Sequence, residues 1–202
     1  MGTMVMIRGR ASYLQQLWQE DQFDGAGDYY WSASCILDPS KPKQAACIAE
    51  IEAAEKAEFK AAYDKAKGNK PATFEQAWAQ LNDSTRALRD GDLKGGEYEG
   101  CKYVSPRATK GKQAKPVVLN RQAQAVGPSE PGAPYAGSEC VFQVEVWAQF
   151  EGKYKRTNIT LMGVQFAADG TAFGGGKPAD LSKFQALADT GEDEDDAAAE
   201  FA

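Results

Sequence analysis

The 202-residue chain contains no histidine. That absence removes Ser-His and Cys-His nucleophilic chemistry, and with them the commonest general base near neutral pH. Cysteine is sparse: Cys35, Cys47, Cys101 and Cys140 lie far apart and form no C-x-x-C pair. This spacing argues against a disulfide framework and, without histidine, more strongly against a zinc site. Long apolar runs are also missing. Residues 1–10 carry Arg8 and Arg10 and lack the stretch that a signal peptide or a membrane span needs, so a reducing cytoplasm is the expected compartment, with no membrane partner. Two further absences are local. No acidic residue stands among the six basic ones between Cys101 and Arg121, and no basic residue among the seven acidic ones between Asp189 and Ala202.

The second of these segments sets the formal charge. The chain holds 23 basic and 29 acidic residues, for a net charge of −6; without the seven terminal acids 22 remain against 23, so residues 1–188 are close to neutral. Glu192, Asp193, Glu194, Asp195 and Asp196 run together, and Phe201 is the lone aromatic beside the terminus. Like charges repel, and almost nothing apolar is available to bury. Ordering such a segment would cost about 1–2 kcal/mol per residue without return. Residues 189–202 are therefore expected to form a disordered acidic tail on a single domain spanning 1–188, and the tail could compete for any positive face of that domain.

Along the domain, apolar residues alternate from Val5 through Ile7, Gly9, Ala11 and Tyr13, predicting a first strand over 5–18 with Arg8 and Arg10 on its other face. A second strand is expected over Tyr29–Leu37, with Trp31, Ala33, Cys35 and Leu37 towards the core and Tyr30, Ser32 and Ser34 away from it. After Asp38-Pro39 the period becomes helical. Ser40 is the expected cap, Ala45, Ile48, Ile51, Phe59, Ala62 and Tyr63 the apolar stripe, and Glu52–Lys56 an i,i+4 pair. A shorter helix begins at Thr73, which with Gln76 makes a capping-box pattern, so a helical insertion occupies about 41–82. Tyr98–Ser105 alternates like a strand. Residues 140–149 and 154–166 read as a long hairpin turning at Glu151-Gly152, with Cys140, Phe142, Val144 and Val146 on one face and Trp147 on the other. The count is about five main strands.

Catalytic motifs are weak. Gly174-Gly175-Gly176-Lys177 lacks the spacing of a phosphate loop, with Pro178 where a magnesium-holding hydroxyl would stand. The tail lacks the spacing of a calcium loop. Asp90, Asp92, Glu97 and Glu99 could serve a small metal-dependent nuclease, but among glycines they read more simply as solvated turn residues. What remains is binding. Arginines on a strand face, a basic stretch with an embedded tyrosine, and a tryptophan on a polar strand face are the parts that hold single-stranded nucleic acid, cations taking the phosphates and rings the bases.

Several stretches together resemble the bacteriophage single-stranded DNA-binding proteins: Arg8 to Tyr13, Tyr30 to Leu37 ending at Pro39, the helical insertion, Lys102-Tyr103-Val104-Ser105, Lys115-Pro116-Val117-Val118, Tyr135-Ala136-Gly137 before the hairpin, and Gly163-Val164-Gln165 followed by Asp169-Gly170. The resemblance implies a mainly β fold, a five-stranded OB-fold barrel with a helical insertion and an acidic C-terminal tail. It implies sequence-independent binding of single-stranded DNA in replication, recombination or repair, without enzymatic activity or cofactor, in the cytoplasm of an infected bacterial host. Arg8, Arg10, Lys102, Arg107, Lys110, Lys112 and Arg121 would contact phosphates; Tyr30, Tyr103 and Trp147 would offer ring faces; Tyr154, Lys155 and Arg156 would line the groove from the hairpin. The tail, with Phe201, would meet phage or host replication proteins; here Ala202 follows the aromatic, whereas related tails commonly finish on it. A homodimer is left open, as is an OB-type adaptor that binds protein or RNA.

Overall fold

The computed structural model describes residues 2–173 except 24 and 69. The expectations for the tail, Glu192 to Phe201 among them, lie outside the described residues. Strand β1 (Thr3–Ser12) buries Val5, Ile7 and Ala11 and turns Arg8 and Arg10 outward, as its alternation requires. It stops at Ser12 rather than running to 18. Tyr13 adopts the left-handed region at φ 51°, after which Leu14 and Leu17 are buried at helical spacing around the short helix α1 (Gln15–Trp18).

The next predicted strand is divided. After β2 (Asp21–Phe23), β3 (Ala26–Ser32) ends before Ala33 and β4 (Ser34–Leu37) begins after it, because the chain changes neighbours there. Helix α2 (Pro42–Lys65) follows, with Lys41 rather than Ser40 at its cap; Ser40 Oγ instead donates to Asp38, 2.6 Å away. Proline at the first helical position supplies the start that the missing cap does not. Ile51, Phe59 and Tyr63 are buried, and the i,i+4 ion pair on this helix is Lys60–Asp64 at 2.8 Å, not Glu52–Lys56. Helix α3 (Phe74–Ala79) begins as its sequence indicates, Thr73 Oγ1 accepting from Gln76 N at 3.3 Å.

Beyond a 3-10 turn at Asp83–Thr85 come β5 (Arg89–Asp90), β6 (Lys102–Val104), β7 (Arg107–Thr109) and β8 (Val117–Leu119). Of the alternating stretch 98–105 only three residues pair as a strand, because Gly96–Tyr98 winds into a 3-10 turn and Gly100, at φ 70°, redirects the chain. The hairpin is the longest element pair: β9 (Glu139–Glu151) and β10 (Tyr154–Ala168), registered Val146 to Ile159 and Val144 to Leu161. Cys140, Phe142, Val144 and Val146 all face inward.

All strands belong to one sheet, ordered β2-β3-β7-β10-β9-β1-β4-β6-β5, with β8 running parallel to β10 off this path. Among the described residues ten strands therefore stand where about five were expected. The fold is mainly β, a sheet curled into an OB-like half-barrel with a helical insertion; one expected strand is divided into β3 and β4, and β2, β5, β7 and β8 are strands of two or three residues where no strand was expected. Gly9 shows how closely the sheet curls, since a Cβ there would sit 2.3 Å from the Ile36 carbonyl oxygen. The main core joins both hairpin strands to β1, β4, α1 and α2. A second cluster, Phe59, Tyr63, Phe74 and Phe150, packs the helices against the tip of the hairpin through edge-on rings 5.3–5.4 Å apart. Among the described residues no helix is long and apolar enough to cross a membrane.

Candidate nucleic-acid interface

Alternation along β10 sends Arg156, Asn158 and Thr160 to the face away from the core, and pairing sets Trp147 of β9 opposite Asn158 and Arg107 of β7 opposite Thr160. These outward residues line one wall of a cleft of about 310 Å³; Arg86 and Arg89, from the segment after the 3-10 turn, line the other. Four arginines thus converge with no carboxylate in the lining. The lining therefore offers guanidinium cations and no anion to an incoming polyanion.

Each group is held. Trp147 Nε1 donates to Thr160 Oγ1 at 3.0 Å, which fixes the indole across the two strands. The Arg107 guanidinium lies 4.6 Å above the Tyr30 ring, a cation–π contact. Arg86 rests 5.0 Å over the Trp78 ring and donates to Glu55 Oε2 at 2.6 Å. Glu55 has no exposed surface; its Oε1 accepts from Ala87 N at 2.7 Å, Leu88 N at 3.2 Å and the Thr157 hydroxyl. A buried carboxylate is tolerated only when so fully partnered, and here it ties α2 to the arginine segment and to β10 at once.

Three donors in this lining are not satisfied by protein. Arg86 Nε, Arg156 Nε and Asn158 Nδ2 are buried and have no hydrogen-bond partner. Each such group carries a desolvation cost of about 1–3 kcal/mol, which an entering acceptor oxygen would relieve. Permanent cations, unpartnered donors and a fixed indole in one cleft form an arrangement that can bind phosphodiester oxygens and stack a base.

Of the residues singled out by sequence, Arg107, Trp147 and Arg156 line this cleft, and Tyr30 underlies Arg107 with 8 % of its surface exposed. The others are elsewhere. Arg8 lies 3.7 Å from Glu139, and Arg10 lies 3.2 Å from Glu97 with its guanidinium over Phe173. Lys110 and Lys112 reach Glu20 and Asp28 from the loop after β7. Lys102 pairs with Asp90 at 2.9 Å; Tyr103 is 8 % exposed, packed edge-on to Tyr98 at 5.0 Å, so its ring is not open to solvent. Arg121 is exposed beyond β8, Tyr154 is exposed at the hairpin tip, and Lys155 faces away from the cleft, towards the end of α2. Exposed pairs of this kind hold together by about 0–1 kcal/mol, so they leave their lysines able to exchange a carboxylate for a phosphate.

Sequence reasoning missed Arg86, Arg89, Gln113 and Asn158. Asn158 was legible, two residues beyond Arg156 on the same strand face. Arg86 was not, because its position depends on Glu55, thirty-one residues earlier. The one signal was a glutamate at helical spacing between Ile51 and Phe59, inside an otherwise apolar stripe.

The carboxylates considered for a nuclease serve the turns. Asp90 accepts from Lys102, which holds its carboxyl below the usual range, and Asp92 accepts from Gly100 N at 2.6 Å. Among the described residues no group of three or more potential ligands could hold a metal ion.

The profile of the family described as Enterobacter phage Enc34, ssDNA-binding protein, matches residues 3–198. Among curated sequences, the putative protein p50 of Acyrthosiphon pisum secondary endosymbiont phage 1 is 29 % identical over 184 residues, covering 89 % of this chain and 91 % of its own. Among solved structures, the single-stranded DNA-binding protein of bacteriophage Enc34 in complex with ssDNA superposes with a TM-score of 0.65 at 21 % identity, covering 85 % of this chain and 89 % of that one. The single-stranded DNA-binding protein gp2.5 of bacteriophage T7 superposes with a TM-score of 0.55 at 12 % identity, over 92 % and 96 % of the two chains. At these identities the structures speak for the half-barrel alone, whereas the profile spans nearly the whole sequence: the chain belongs to the Enc34 phage single-stranded DNA-binding protein family, a non-enzymatic class.

Proposed function

We propose that this protein binds single-stranded DNA without regard to sequence, through the cleft between the β9–β10 hairpin and the Arg86–Arg89 segment. It would act in phage replication, recombination or repair in the cytoplasm of the infected host. The observation that carries this reading is the coincidence of Trp147 with buried, unpartnered donors of Arg86, Arg156 and Asn158 in a lining that holds no acid. The seven acids of 189–202 complement that cleft in charge. The tail would occupy it until DNA displaces them, and displacement would free Phe201 for a replication protein.

Fluorescence anisotropy with a thirty-nucleotide single strand tests this. Trp147→Ala is expected to cost about 1–3 kcal/mol, roughly a 5- to 150-fold loss of affinity. Arg156→Ala should weaken binding and lower the salt slope by about 0.7, the share of one phosphate. Removing residues 189–202 should tighten binding; unchanged affinity would end the competitor role while leaving the cleft intact. No binding at low salt by the full chain would overturn the whole reading.

A further inference from the structure

Where Arg156 turns into the cleft, its neighbour Lys155 turns the other way, into a basin of about 580 Å³ between the end of α2 and the hairpin tip. Lys65, Lys67 and Lys70 line the same basin, opposed by one acid, Glu151. Lys153 stands beside it at the tip, over the exposed Tyr154 ring. What sets this group apart is its clustering. Lys41, Lys60, Lys102, Lys110 and Lys112 each have a carboxylate within 4.0 Å; the basin lysines have none among the described residues, and unlike the scattered Lys43, Lys56, Lys94 and Lys115, which also have none, they stand four together around one hollow. One cation is enough to complement the last turn of a helix; four around one hollow exceed that need. Lys70 Nζ donates to the Tyr63 carbonyl at 2.8 Å and so is held at the rim.

We infer that the lysine basin is a second contact for the same nucleic acid strand, taking its phosphates where it leaves the arginine cleft and passes the start of β10. The inference rests on the cleft being the primary DNA site. Continuity favours DNA, since adjacent residues of one strand feed the two sites. Chemistry favours the backbone over bases or peptide side chains: the basin offers mobile point charges, its aromatic residue, Phe150, is only 6 % exposed, and no buried unpartnered donor is fixed in it to read a base edge.

The test compares an eight-nucleotide with a thirty-nucleotide oligothymidylate on the full-length protein and on the triple variant Lys65→Ala, Lys67→Ala, Lys155→Ala, across a salt series. On this inference the short strand is held chiefly by the cleft, so its affinity should change least. The long strand should bind about tenfold more weakly at low salt, with a slope lower by about 2, three phosphates at about 0.7 each. An unchanged slope for the long strand overturns the inference, as does an equal loss for both strands. A synthetic peptide of residues 189–202 that binds the wild type and not the triple variant, with DNA unaffected, assigns the basin to an acidic peptide and also overturns it. If Trp147→Ala weakens both strands while the triple variant weakens neither, the cleft stands and the basin falls. If the wild type binds neither strand, both fall.

Discussion

Cys140 has no exposed surface, and burial pushes its thiol up to about 11; Cys35, equally enclosed, is also raised well above the ordinary thiol value, by burial first and then by its neighbour Cys140. The folded thiol is therefore harder to ionise than the unfolded one. Below the ordinary thiol range both states keep the proton and the contribution to stability is complete; above it the unfolded chain ionises first, and stability is lost until the folded thiol ionises too. Urea midpoints should fall steadily from about pH 9 to pH 11, and the fall should be shallower in Cys140→Ala. Tyr98, raised by burial, acts in the same sense. Lys94 acts oppositely: desolvated among the rings of Tyr13, Tyr98 and Tyr103, it has a lowered pKa and favours the folded state as pH rises. The inward face containing Cys140 was legible from strict alternation. The fate of Tyr103 was not, because a single-strand pattern cannot say that a second ring, Tyr98, and an ammonium will cover the face it leaves open.

At the level of elements, the β9–β10 hairpin was readable in full and the short strands were not. A hairpin carries its own pairing information in alternation and turn; β5, β6 and β7 are two or three residues long and exist only because distant partners meet them. The same division explains the candidate site. Trp147 and Arg156 come from the hairpin and could be named in advance, while Arg86 and Arg89 come from a segment that has no pattern of its own and hangs from α2 by Glu55. The helical insertion is thus a support for the binding wall as well as a cover for the sheet. Glu55→Gln keeps the shape but removes the charge that Arg86 and two backbone amides address. It is expected to destabilise the fold by about 3 kcal/mol and to weaken DNA binding with a lower salt slope, as Arg86→Ala should do. Chemical denaturation and a salt series read the two effects separately. A loss of stability with unchanged DNA affinity would show that Glu55 serves packing alone.

Across the whole molecule, charge is segregated rather than balanced. A body near neutrality gathers four arginines in one cleft and four lysines in one basin, and the chain's excess acid lies in the final residues. A net charge of −6 would suggest poor attraction to a polyanion; the distribution reverses that expectation, because association follows the local field more than the sum. The Glu55 anchor has one more consequence. If the arginine wall can be occupied only while that carboxylate is seated, every bound strand selects molecules whose α2 is in place, and binding energy is shared with the helix. Backbone amides in the middle of α2, around Glu55 and away from the lysine basin, would then exchange with solvent more slowly in the complex than in the free protein, making that part of the helix a remote gauge of how full the cleft is.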